Sequence, residues 1–347
     1  MKKTKGQAHR LKQRDLVATI FVLFSEEYDK SEVNSIADIE FSMAAIREYL
    51  ETRVGIAYSS DTWITTQIHK YEEEIGTTLF RKISSPAGPA LGLCKDLQTY
   101  EQKRHLYVTQ KIRTANGVFD LIRNSLDDSF SLPPIGLLLG AGSTVTRVAE
   151  IIAQNLLDLP LEWEICTHNL GVIECLGKTG PGFDKARISV PEGRFDPSTN
   201  LILGENLALY TKKRFDWVIQ GTSYLSKGAL YVEKKEETDI KAGTLHDCSG
   251  KKVLVLTGHE ASAKPPSGIA PFGFVGDYDY VIHPALPQDS TAAQRLAREL
   301  SADGSPLKVM IRNWSYEILE PARGGEPAQA PSRHRRRGDE SGASVRR

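Results

Sequence analysis

The sequence lacks long apolar runs, which argues against a membrane-spanning protein. Its longest run, residues 16–24, is interrupted only by Thr19 and is about half of the ~20 residues that a spanning helix needs. The run follows a basic stretch, as in a signal peptide. However, it continues into Ser25-Glu26-Glu27-Tyr28-Asp29 without a cleavage site of small residues. We therefore expect a cytoplasmic protein with no membrane partner.

Cysteine is also scarce. The four cysteines, Cys94, Cys166, Cys175 and Cys248, form no CxxC pair and have no histidine at zinc-binding spacing. This pattern favours neither a disulfide framework nor a zinc site and fits a reducing compartment. We expect no metal and no cofactor.

The chain has no excess of either charge, with 44 Lys+Arg and 44 Asp+Glu, but the charges are unevenly distributed. Residues 1–14 carry six basic and no acidic residues, and residues 321–347 carry seven arginines and three acids. Residues 15–320 therefore have a net charge of −10. Such asymmetry is typical of proteins that bind a polyanion. We expect residues 1–14 to be a basic arm and the Pro/Gly/Ser/Arg-rich tail, 321–347, to be disordered.

Periodicity predicts three helices and a wing within residues 15–90. The helices cover residues 13–28, about 41–53, and 60–75, and a Ser/Pro/Gly-rich stretch to residue 92 follows. In the third helix, Ile64, Ile68, Tyr71 and Ile75 form one apolar stripe, and Gly76 is placed to end it. This order predicts a winged helix-turn-helix with residues 60–75 as the recognition helix. A small helical domain that binds no nucleic acid is the alternative.

A family resemblance favours DNA binding. The run Thr65-x-x-Ile68-x-x-Tyr71-Glu72-Glu73-Glu74-Ile75-Gly76-Thr77-x-Leu79-Phe80-Arg81 resembles the recognition helix and wing entry of LysR-type transcription regulators. Tyr71 stands where that family has leucine. The resemblance implies that residues on the polar face of this helix contact bases or phosphates, and that DNA is a partner. The candidates are Thr62, Thr65, Thr66, Gln67, His69 and Lys70.

Residues 91–128 read as a largely helical connection with a broken apolar stripe. Asn116-Gly117 predicts a break before a second segment at 118–126. A long connecting helix after a winged helix commonly pairs two protomers, so we expect a homodimer or higher homo-oligomer. The alternative is that the helix packs on its own chain.

Residues 129–320 alternate strands and helices. The strands are predicted at 135–139, 163–166, 186–190, 215–219, 252–257, 278–282 and 307–312, with helices including 143–157, 170–176 and 292–301. Apolar strands separated by helices predict a parallel sheet covered on both faces. The fold class is therefore α/β, an N-terminal winged helix-turn-helix joined to a Rossmann-like, mostly parallel domain. Ligands of such sheets bind beyond the carboxyl ends of the strands.

Five predicted strand ends carry polar or glycine-rich loops. The first, residues 140–144, has glycines and two hydroxyls at a helix start, where a phosphate can bind, although a tight turn would use similar residues. The others are residues 167–169, 191–196, 220–223 followed by Glu237 and Lys241, and 257–260.

The order of these motifs resembles the sensor domain of DeoR-type sugar regulators, whose fold is shared with ribose-5-phosphate isomerase. Two departures are His168, inserted between Thr167 and Asn169, and the stretch 257–260, which lacks the lysine of that family. The resemblance implies that a small phosphorylated metabolite, either a sugar phosphate or a nucleotide-like molecule, is the ligand. The strand-end loops and the resemblance together give the candidate ligand-binding residues, which are Gly140, Gly142, Ser143, Thr144, Thr167, Asn169, Gly193, Arg194, Gly221, Thr222, Glu237, Lys241 and His259.

Three functions remain open at this point. A DNA-binding transcription regulator accounts for both halves of the chain, and on this reading the protein is not an enzyme. An isomerase-like enzyme would use carboxylates and a lysine as acid and base, and a metabolite-binding adaptor would not bind DNA.

Overall fold

The computed structural model of the protein describes residues 10–31, 33, 35–85, 88–94, 99–126, 134–156, 162–178, 184–204, 208–262, 264–302, 304 and 306–321. Most of the basic arm (1–9) and nearly all of the tail (322–347) lie outside these residues. Within them, no helix has both the length and the apolar character needed to cross a membrane.

The N-terminal unit is a winged helix-turn-helix, as the sequence predicts. Its elements are α1 (Gln13–Lys30), β1 (Glu40–Ser42), α2 (Met43–Val54), α3 (Asp61–Ile75), β2 (Phe80–Ser85) and β3 (Gly88–Leu93). The β2–β3 hairpin is antiparallel, and β1 pairs with the other edge of β3. Ser60 caps α3 by accepting the Trp63 N–H at 3.3 Å, and Gly76 ends it in the left-handed conformation. The apolar run 16–24 is core, because Leu16, Ile20 and Phe24 are fully buried.

The connecting segment breaks at a different place from the one predicted. It forms α4 (Tyr100–Arg104) and α5 (Val108–Asn124), and the break falls at Tyr107, whose φ is 52°. The predicted break at Asn116-Gly117 is wrong, because α5 runs through it. Gly117 is needed for close packing instead: an added Cβ would lie 2.8 Å from Ile282 Cγ2. The start of the predicted segment, residues 91–93, belongs to β3.

The apolar face of α5 packs on its own chain. Ala115, Val118 and Ile122 are buried in the same core as the strands and helix of the second domain. Ile112, which belongs to the stripe that suggested pairing between protomers, is 38% exposed, and the homo-oligomer stays a prediction.

The second domain is built on an eight-stranded sheet with the order β15-β16-β14-β12-β9-β4-β5-β6. Its strands are β4 (Ile135–Leu139), β5 (Trp163–Thr167), β6 (Ala186–Ser189), β9 (Trp217–Gly221), β12 (Lys251–Val255), β14 (Tyr280–Pro284), β15 (Leu307–Arg312) and β16 (Tyr316–Pro321). The six strands from β14 to β6 pair in parallel. The sequence reading missed β16, which is antiparallel to both neighbours.

Helices cover both faces of this sheet, as predicted. They are α6 (Ser143–Asn155), α7 (Leu170–Gly177), α8 (Ala208–Lys212), α9 (Lys235–Asp247) and α10 (Thr291–Leu300). Short strands form a hairpin, β7 (Arg194–Asp196) with β8 (Leu201–Leu203), and a small sheet of β10 (Tyr224–Ser226), β11 (Ala229–Tyr231) and β13 (Gly273–Phe274).

The strand order reverses between β4 and β9. From β4 the chain runs outward through β5 and β6, then returns to β9 on the other side of β4 and continues through β12 and β14. Loops that leave a reversal point in opposite directions open a crevice at the carboxyl ends of the strands. This crevice is where the topology places a ligand.

A candidate ligand pocket at the carboxyl ends of the strands

A cavity of about 520 Å³ lies at this reversal point. The loops after β4, β9 and β12 form its floor, and α9 contributes one side. Eight of the thirteen ligand-binding residues implied by the sequence line it. They are Gly142, Ser143, Thr144, Gly221, Thr222, Glu237, Lys241 and His259.

The turn from β4 into α6 brings a helix start to the cavity. Gly142 has a φ of 108°, which favours glycine, and no atom lies within 4 Å of an added Cβ. No side chain caps the helix, and its first turn carries no acidic residue. The first N–H groups of α6 and the hydroxyls of Ser143 and Thr144 therefore form a neutral-to-positive surface suited to an anion.

Thr167 and Asn169 lie behind this turn and hold it in place. The Asn169 Nδ2 donates to the carbonyl oxygens of Gly140 at 3.2 Å and Gly142 at 3.1 Å. The Thr167 hydroxyl donates to the Leu139 carbonyl at 2.7 Å. Both side chains are fully buried, and neither lines the cavity, nor does Gly140. Their position indicates a role in shaping the turn.

Glu237 and Lys241 form a buried ion pair on α9, one helical turn apart. Their charged atoms are 3.8 Å apart, and the Lys241 ammonium donates to the Gly221 carbonyl at 2.8 Å. Burial raises the pKa of Glu237, and the Lys241 charge opposes that shift. Burial likewise lowers the pKa of Lys241, and Glu237 opposes it. The pair places one acid and one base against the ligand space.

A second ion pair on the cavity wall joins distant parts of the chain. Lys103 of α4 pairs with Glu233, and the Ser223 hydroxyl donates to the same carboxylate at 3.0 Å. Burial acts to raise the pKa of Glu233, but the Lys103 charge and the hydrogen bonds outweigh it and lower the pKa. Sequence reasoning missed Lys103 and Glu233, because neither lies in a recognisable motif.

The loop after β12 satisfies its own N–H groups. The Glu260 carboxylate accepts hydrogen bonds from the N–H groups of Thr257 and Gly258 and from the Thr257 hydroxyl, at 2.9 to 3.0 Å. A side-chain anion thus already occupies this turn, so it offers less to a phosphate than the start of α6. His259 stacks on Tyr107 with ring centroids 3.5 Å apart, and burial lowers the pKa of His259 to about 3.

The winged-helix unit supplies part of the wall. Tyr28 of α1 and residues 35–37 line the cavity, and the Tyr28 ring lies 5.0 Å from that of His259. A molecule in the cavity would therefore contact both units of the chain. No local sequence signal could have indicated this, because the contacts join segments more than 100 residues apart.

Gly193 and Arg194 lie in the β7–β8 hairpin and do not line the cavity. An added Cβ on Gly193 would lie 2.5 Å from the Leu203 carbonyl oxygen, so glycine allows the two strands to approach. Arg194 is exposed. This hairpin reaches the cavity through Thr199 and Leu201 instead.

The polar face of α3 is a second candidate surface. Of the six implied DNA contacts, Thr62, Thr66, His69 and Lys70 are exposed. Thr65 is half-buried, and Gln67 accepts a hydrogen bond from Gln13 of α1 at 3.2 Å.

No protein-family model and no curated protein matches the sequence. Among solved structures, a D-ribose-5-phosphate isomerase in complex with phospho-erythronic acid is 10% identical, with 61% of this chain and 77% of that chain covered and a TM-score of 0.30. Ribose 5-phosphate isomerase A from Methanocaldococcus jannaschii is 9% identical, with 61% and 78% covered and a TM-score of 0.28. A putative O-methyltransferase from Nostoc punctiforme is 10% identical, with 89% and 95% covered and a TM-score of 0.28. Scores this low establish no function.

Proposed function

We propose that the protein is a DNA-binding transcription regulator whose second domain senses a small phosphorylated metabolite. The observation that carries the proposal is the cavity at the strand reversal, which opens onto the uncapped start of α6 and is closed by the winged-helix unit. In this arrangement a ligand in the cavity would contact the winged-helix unit directly, which supports a link between ligand sensing and DNA binding.

The chemistry of the wall supports a phosphorylated, hydroxyl-rich ligand. The start of α6 would bind the phosphate through N–H groups and the Ser143 and Thr144 hydroxyls. Carboxylates and hydroxyls, including Glu237 and Thr222, suit the hydroxyl groups of a sugar. A sugar phosphate or a nucleotide-like molecule fits these partners.

Ligand binding would change the placement of the winged-helix unit. Tyr28 and residues 35–37 contact the cavity from the N-terminal side, so a ligand favours arrangements in which these contacts persist. Such coupling is typically about 1–3 kcal/mol, which corresponds to about 5- to 150-fold in DNA affinity.

The test is a gel shift with the DNA upstream of the protein's own gene, at low salt, with and without sugar phosphates and nucleotides. We expect a shift that changes with one ligand and weakens in Lys70→Ala. The matched control is Lys308→Ala, which removes an exposed lysine from β15. No shift of any DNA at low salt would contradict the regulator.

The buried Glu237–Lys241 pair favours one alternative, a sugar-phosphate isomerase. A carboxylate with a raised pKa can move a proton between neighbouring carbons of an open-chain sugar. Isomerisation that disappears in Glu237→Gln would establish this reading. A third reading, a metabolite-binding adaptor, would show thermal stabilisation by ligand without any DNA binding.

A further inference from the structure

Lys111 is a buried lysine on the cavity wall that lacks a carboxylate partner. It lies in the first turn of α5, lines the cavity and is 4% exposed. Its amine donates to the Lys103 carbonyl oxygen at 2.5 Å. Across the described part of the chain, no carboxylate lies within ion-pair distance of it. A buried ammonium without a counter-charge is costly.

The surroundings of Lys111 favour its neutral form. Burial lowers its pKa to about 7, the charges of Arg147 and Lys103 act in the same direction, and Glu260 opposes them. The other two lysines on the wall differ, because Lys103 pairs with Glu233 and Lys241 pairs with Glu237. Lys111 is thus the cavity lysine best suited to act as a nucleophile, since a desolvated amine next to other cations is activated in this way.

We propose that Lys111 binds the open-chain aldehyde of an aldose phosphate as a reversible imine. The inference rests on the proposed function, in which the start of α6 binds the phosphate end of the same ligand. The amine lone pair forms the new bond to the aldehyde carbon. Both amine protons pass to the carbonyl oxygen, which leaves as water, so no oxidant or reductant is needed. Hydrolysis reverses the step and releases the ligand.

The imine selects a chemical class of ligand. An alditol phosphate has the same phosphate and hydroxyl groups but no carbonyl, so it would occupy the cavity without forming the covalent bond. The regulator would thus distinguish a sugar with a free aldehyde from its reduced form. Hydrogen bonds to hydroxyl groups alone discriminate poorly between these two ligands.

The experiment is reductive trapping on the full-length protein. The protein is incubated at pH 7 with ribose 5-phosphate and cyanoborohydride, and the modified lysines are mapped by peptide mass spectrometry. We expect Lys111 to gain the mass of the sugar phosphate less one oxygen, more than about tenfold above Lys103 and Lys241. Excess ribitol 5-phosphate should protect it, and trapping should increase as the pH rises through 7.

Thermal stabilisation by the two ligands separates the possible failures. If both ligands stabilise the protein but Lys111 gains no adduct above the other lysines, the imine is wrong and the phosphate site stands. If neither stabilises it, the proposed ligand class and the imine both fail. Adducts spread over exposed lysines and unaffected by ribitol 5-phosphate would also overturn the inference.

Two variants distinguish an imine from simple ion pairing. Lys111→Arg keeps a positive charge but cannot be trapped, and Lys111→Met keeps the buried volume without an amine. We expect both to bind ribitol 5-phosphate, as judged by thermal stabilisation, and neither to be trapped at position 111. An aldose preference that persists unchanged in Lys111→Arg would contradict covalent recognition.

Discussion

Replacing His168 should change how the stability of the protein depends on pH. His168 follows β5, is 1% exposed, and its Nδ1 lies 2.9 Å from the Tyr210 hydroxyl. Its Nε2 has no hydrogen-bond partner within the described residues. Burial lowers its pKa to about 3, and the nearby Lys241 charge adds to this shift. The folded protein therefore keeps this imidazole neutral.

The size of the expected pH effect follows from the difference between the pKa of His168 in the folded chain and in the unfolded chain. An unfolded histidine has a pKa of about 6.5, so below that pH the unfolded chain gains a proton that the folded chain does not. Below pH 6.5, each pH unit lowers the free energy of unfolding by about 1.4 kcal/mol, which amounts to about 2.7 kcal/mol at pH 4.5. The contribution of the neutral His168 to stability is fully present above pH 6.5 and is lost as the pH falls towards 3.

The assay is urea unfolding at pH 7.5 and 4.5, followed by fluorescence and circular dichroism. His168→Gln should be less stable than the native protein by about 1–3 kcal/mol at pH 7.5, because it loses packing and the Tyr210 contact. The difference should shrink by about 2–3 kcal/mol at pH 4.5. The control is His246→Gln, at an exposed position on α9. If the native protein and His168→Gln differ in free energy of unfolding by the same amount at both pH values, the reasoning is refuted. The buried glutamates, whose pKa values are raised, do not affect this comparison, because both proteins contain them.

Three further predictions concern the turn at α6 and the basic arm. Asn169→Ala should lower the free energy of unfolding in urea by about 1–3 kcal/mol, because it removes the donor to the Gly140 and Gly142 carbonyls. Unchanged stability would contradict the role of Asn169 in holding the turn. Gly142→Ala should lower the free energy of unfolding by about 1–3 kcal/mol in the same assay from backbone strain alone. Gly177→Ala, which also meets open space but has no positive φ, should show no such loss. Replacing the six basic residues within 1–14 by glutamine should weaken DNA binding. The slope of log affinity against log salt concentration should become shallower by about 0.9 for each phosphate that the arm no longer neutralises. Identical slopes for the native protein and the variant would exclude the arm from the interface.

Local patterns in the sequence determined the elements of this protein. The stripe of Ile64, Ile68 and Tyr71, bounded by Ser60 and Gly76, defined α3, because helix periodicity and caps involve residues close in sequence. Apolar strands alternating with helices likewise predicted a mostly parallel sheet with its loops at one edge. Those patterns also placed the start of α6, since glycine and hydroxyl residues follow the strand directly.

Only the tertiary structure decided how the elements meet. The position of β16 between β14 and β15, and the closure of the cavity by Tyr28, depend on segments far apart in the chain. Lys111 shows the same limit, because its lowered pKa comes from burial and from the charges of Arg147 and Lys103, with no carboxylate within ion-pair distance among the described residues, and not from a sequence motif. Asn169 and Thr167 have the residue types of ligand contacts, yet the fold turns both side chains towards the backbone behind the site. Periodicity depends on near neighbours, whereas burial and charge depend on packing, and packing exists only in the folded chain.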